Sequence, residues 1–70
     1  MDKLVLYKEF SRYCITSEEN YHAFIRNENA STMIKFPYDM DKQSVLETIS
    51  RYNICKPEEL IDKTGEWNVI

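Results

Sequence analysis

From residue 41 to residue 53 the chain reads DKQSVLETISRYN, with Val45, Leu46, Ile49 and Tyr52 recurring at the i, i+1, i+4, i+7 spacing. That spacing lines one face of an α-helix and predicts a main helix over 41–53. Asp41 is the expected N-cap, and Asn53 the expected left-handed residue after the last turn. Ser44 with Glu47 forms a second capping-box pattern, which would start the helix three residues later. Glu47 and Arg51 add an i,i+4 pair in the favourable order, acid before base.

The pattern is less decided before residue 40. Residues 3–15, KLVLYKEFSRYCI, are rich in Val, Tyr, Phe and Ile and predict a strand. A helix would line up Leu6, Phe10, Tyr13 and Cys14 almost as well. Thr16 and Glu19 fit a capping box leading into Tyr21, Phe24 and Ile25 at helical spacing. A competing pattern makes 21–25 a strand that turns through the polar 26–31 and returns as 32–36, with Ile34 and Phe36 on one face. Asn supports that turn because it tolerates positive φ. Pro37 ends the segment.

After the main helix, Lys56-Pro57 followed by Glu58 and Glu59 predicts a short second helix over 57–63, stopped by Thr64-Gly65. The tail EWNVI predicts a closing strand. Together these elements make one α+β domain: a small antiparallel β-meander packed against the 41–53 helix, with a short second helix and a C-terminal strand. The alternative is an all-α four-helix domain. LYKEFSRY, and KFP ahead of an acid-capped helix, resemble the N-terminal and middle segments of the YozE family of small helical bacterial proteins. That resemblance spans about half the chain through unspecific motifs, implies the helical alternative and implies no activity. The strand-like 32–36 stretch departs from it, and the meander is the preferred architecture.

Composition narrows the classes. Seventy residues with nine aromatics bound a single domain near the lower size limit for an unaided core. The aromatics expected inside are Tyr7, Phe10, Tyr13, Tyr21, Phe24, Phe36, Tyr52 and Trp67. The formal charge of −3 is uneven. Residues 1–38 carry five acids and five bases, while 39–70 carry seven acids against four bases. Phosphate recognition needs a concentrated basic surface, and none is visible, which disfavours direct nucleic-acid binding. The opening MDKLVLYKEF is too short an apolar run for a signal or a membrane span. Cys14 and Cys55 form no C-x-x-C and read as two reduced thiols of a cytoplasmic protein, with a Cys14–Cys55 disulfide left open. Ile, Lys, Asn and Tyr total 23 against 8 for Gly, Ala, Pro and Arg, a bias of AT-rich genomes and their phages.

No motif carries chemistry. His22 is the single histidine, and neither a catalytic arrangement with Cys14 nor a zinc site from Cys14, His22 and Cys55 has the local spacing such sites use. No cofactor, metal or catalysis is expected. Surface Tyr and Trp are common interface anchors, and acids near them suit a basic partner. The expectation is a small acidic protein-binding module, a regulator or inhibitor of the phage or mobile-element kind. Its contact surface would be Tyr38, Asp39, Asp41, Glu58, Glu59, Asp62, Glu66 and Trp67, and a homodimer stays open. The alternative is a small transcription-related or nucleic-acid-associated domain, which requires Lys3, Lys8, Arg12, Arg26 and Lys35 to gather on one face.

Overall fold

The computed structural model describes residues 3–65, so the predicted strand at 66–70, with Glu66 and Trp67, lies outside the described residues. Within them the chain is α+β, a four-stranded mixed sheet with a helix on each face, and not a four-helix domain. The helical architecture implied by the LYKEFSRY resemblance is therefore corrected. That stretch is a β-hairpin.

The hairpin comes first. Strands β1 (Leu4–Glu9) and β2 (Arg12–Ser17) pair antiparallel from Leu4 opposite Ser17 to Glu9 opposite Arg12. The single strand predicted over 3–15 is thus two, closed by a two-residue turn at Phe10 and Ser11. No Gly or Asn marks that turn, so the composition gave no sign of it. Helix α1 (Glu18–Ile25) follows without a loop. Ser17 is its N-cap, the hydroxyl accepting from the Asn20 amide at 3.1 Å, one residue beyond the expected Thr16. The helical pattern of 16–25 prevails over the competing strand. Asn27 ends the helix with φ 61°, the conformation expected of Asn there.

Residues 26–33 return along the α1 side of the sheet and enter β3 (Ile34–Lys35), which pairs antiparallel with β2. Helix α2 (Lys42–Arg51) then crosses the other side of the sheet. Asp41 caps it by accepting from the Ser44 amide at 2.8 Å, and Asn53 takes φ 52° after it. Both ends of the predicted main helix are as expected. The predicted helix at 57–63 is corrected to one 3-10 turn, Pro57–Glu59, and then β4 (Leu60–Asp62). Strand β4 lies parallel to β1, Leu60 beside Leu4 and Asp62 beside Leu6, and gives the order β3-β2-β1-β4. The sheet is therefore not a pure antiparallel meander.

Period-two alternation sends successive side chains to opposite faces, and both faces are covered. Under α2 lie Leu6, Ile15 and Phe36 with Val45 and Ile49. Under α1 lie Val5, Tyr7, Cys14 and Tyr21, with Phe24 and Ile61 packed against them. Cys14 and Cys55 belong to opposite faces and both thiols are free, so the disulfide is ruled out in this fold. Two expected core aromatics are outside: Phe10 is 75% exposed and Tyr52 70%. Tyr52 falls on the apolar stripe by spacing but sits at the C-cap, beyond the last turn that touches the sheet.

Candidate functional site

Strand direction gives the molecule two ends. At the hairpin end are the Phe10–Ser11 turn, Arg12 and the 36–41 segment leading into α2. At the other end are the C-terminus of α2, the 53–57 connection and the 3-10 turn. Ten helical residues separate them, about 15 Å of axis.

The predicted contact surface is divided between these ends. Tyr38, Asp39 and Asp41 are at the hairpin end, whereas Glu58 and Glu59 are at the other. Asp62 lies on β4 at the edge of the sheet. Several of the acids also have structural roles. The bond from the Ser44 amide holds the Asp41 carboxyl below the usual carboxylate range. Glu59 accepts from the Lys56 amide at 3.2 Å, while its own amide donates to the Lys56 carbonyl at 2.9 Å, which closes the 3-10 turn. Asp62 pairs with Lys42 at 2.7 Å and accepts from the amide and hydroxyl of Thr64. Partial burial pushes the Asp62 carboxyl up, but the Lys42 and Thr64 bonds outweigh it and bring it down to about 2. These acids tie α2, the 3-10 turn and β4 in place, a job that counting charges along the sequence does not reveal.

The five bases do not share one face either: alternation puts Lys8 with Leu6 on the α2 side of the sheet and Lys35, next to Ile34, on the α1 side. Lys3 borders a hollow of about 330 Å3 with Glu18, Glu19 and His22 at the start of α1. Arg26 is bound to Glu28 at 3.1 Å. Lys8 and Arg12 lie over aromatic rings, with the Lys8 ammonium 5.3 Å from the Tyr13 ring centre and the Arg12 guanidinium 4.4 Å from that of Tyr38. Arg12 is fixed in this pose because its Nε donates to the Phe36 carbonyl at 3.0 Å. Tyr38 remains 60% exposed while its ring is held from behind. A cation stacked on a ring and tethered to the backbone removes rotor freedom that a partner would otherwise have to freeze.

The titratable nucleophiles are placed unfavourably for reaction. Cys14 is fully buried beneath α1, and burial raises its thiol pKa, the reverse of what a poised thiolate needs. Cys55 is half-buried and shifted the same way. His22 is exposed on α1. Among the described residues no three His, Cys, Asp or Glu side chains converge as a metal site, and no helix is long and apolar enough to cross a membrane. A half-open apolar groove of about 800 Å3 runs between the C-terminal half of α2 and Leu60, walled by Leu46, Ile49, Ile54 and Cys55.

What charge and motif reasoning missed is Phe10. Expected in the core, it stands at the hairpin tip as the most exposed of the large apolar side chains described. Only the recognition of a turn at 10–11 could have placed it there. Compared with protein-family models, curated proteins and solved structures, the chain matches none of them.

Proposed function

We propose that the chain is a small protein-binding module acting by occlusion of a larger partner in the cytoplasm, rather than by catalysis. The observation that carries this reading is the exposed, pre-positioned Tyr38, its ring stacked on the tethered Arg12 beside the acid Asp39. Large rigid rings with a polar tip are the side chains that dominate protein contact surfaces. The scattering of the acids shifts weight from a broad acidic face to this end of the molecule. Here Tyr38 and Asp39 suit an apolar site on the partner with a basic residue at its margin.

Affinity capture from the native cells with mass spectrometry tests the reading. Wild-type protein should retain one partner in near-equal amounts, and the double variant Tyr38→Ala, Asp39→Lys should lose most of it. Capture of the same proteins at the same levels by both would sink the reading.

A further inference from the structure

Among the described residues, three other than glycine have positive φ: Asn27 at 61°, Asn53 at 52° and Phe10 at 59°. The two asparagines follow helices, where that conformation is ordinary for Asn. Phe10 is different. It is the first central residue of a two-residue hairpin turn whose second residue, Ser11, does not share the positive φ. This is the sign pattern of a type II′ turn, and glycine is the residue that normally fills its first position. A bulky side chain there is strained.

Among the described residues no core packing offsets the strain. Phe10 belongs to neither core cluster and is 75% exposed. The flanking strands are in register from Glu9–Arg12 inward, so the turn is rigidly based rather than loose. A strained, mostly exposed aromatic that joins no core cluster among the described residues is explained by a contact made outside the chain. From these facts we infer that Phe10 is the anchor of the hairpin-end contact surface, inserting its ring into an apolar pocket on a protein partner. The inference rests on the protein-binding reading above. It adds the residue that enters the partner.

A photoreactive phenylalanine derivative at position 10, and separately at positions 38 and 52, tests it in extract of the native cells. The position-10 probe should give one discrete protein adduct. Excess wild-type chain and excess Phe10→Trp should abolish that adduct, and excess Phe10→Gly or Phe10→Ala should leave it at least tenfold less affected. In parallel, Phe10→Gly should raise the melting temperature by roughly 4–8 °C through relief of the turn, while Phe10→Ala should not. Equal competition by Phe10→Gly, or a fall in its melting temperature, overturns the anchor. So does an adduct from position 38 or 52 but none from 10, which leaves the protein-binding reading standing. No adduct from any of the three overturns both. Phe10-dependent sedimentation with anionic phospholipid vesicles overturns the inference in favour of a lipid surface.

Discussion

The two faces of the sheet are built differently. The face under α2 is a plain hydrophobic contact: Leu6, Ile15, Phe36, Val45 and Ile49, none carrying a side-chain polar group. The face under α1 contains a tyrosine, a cysteine and a threonine that are fully buried, and two hydrogen bonds hold it to the 26–33 loop. The Tyr7 hydroxyl and Thr32 Oγ1 are 2.6 Å apart, and Thr16 Oγ1 donates to the Ser31 carbonyl at 2.7 Å. Tyr7 also packs its ring against Tyr21 and Phe24, at 5.7 and 5.8 Å between centres. One helix is held by apolar area, with the exposed Lys42–Asp62 pair at its start. The other is short, and a polar loop pinned across the same face completes its cover. An eight-residue helix has few apolar contacts to give, so specific bonds carry more of the burden.

That difference can be broken most severely on the α2 face. Leu6→Ala removes a fully buried side chain from the apolar cluster under α2, and should cost about 2–5 kcal/mol in urea unfolding. In so small a domain that is a large share of the total stability.

On the α1 face the corresponding test is Tyr7→Phe, which keeps the ring and leaves Thr32 without its partner. The expected loss is about 1–3 kcal/mol at neutral pH. Its pH dependence gives a second reading. Burial is the main cause that lifts the Tyr7 hydroxyl, against the opposing Thr32 bond, from 10.0 to about 12. Because the folded value is raised, this stabilisation is complete below pH 10 and is lost as pH rises through about 12. The gap between wild type and Tyr7→Phe should therefore shrink across that interval. A gap constant from pH 9 to pH 12 would show that Tyr7 is not buried as a neutral phenol.

A smaller effect is expected at the entry to α2. Asp41→Ala should lower the melting temperature and helical circular dichroism, and Asp41→Ser should restore most of both, since serine also caps. The least is expected from Asp62→Asn, which breaks the Lys42 pair at the edge of the sheet. Both partners are more than one-third exposed, so the loss should be about 0–1 kcal/mol and should fade in high salt. The sign is opposite to that of Tyr7. A carboxyl lowered to about 2 contributes above its unfolded value of 3.8, and the contribution disappears as pH falls through about 2.

The same contrast explains what was readable in advance. Helix α2 was legible because its signals are local: an acid at the cap, apolar residues at helical spacing, and an asparagine where a left-handed residue is needed. Helix α1 competed with a strand because Tyr21, Phe24 and Ile25 alone do not fix a period, and the adjacent Thr16 and Ser17 both can cap. Pro57, Glu58 and Glu59 did start a helical turn. Pairing with β1, more than fifty residues earlier in the chain, then drew Leu60–Asp62 into the sheet. No local pattern announces that partnership. Of the residues proposed for contact, Tyr38 and Asp39 lie together at the hairpin end; Phe10, expected inside, stands outside, and the charges of Asp41, Glu59 and Asp62 also serve the fold.

The parallel pairing of β4 with β1 also sets an order of events. Leu4 must wait for Leu60, so the first strand of the sheet is completed by the last one described. The hairpin and α1 can form while the chain is still being synthesised. The outer edge of β1 stays bare until residue 60 has emerged, and closing so long a loop comes late in folding. For that interval an uncapped, apolar strand edge is presented to whatever is near it. A chain stopped short of residue 60 would keep that edge for good, which makes self-association the expected fate of the truncated protein.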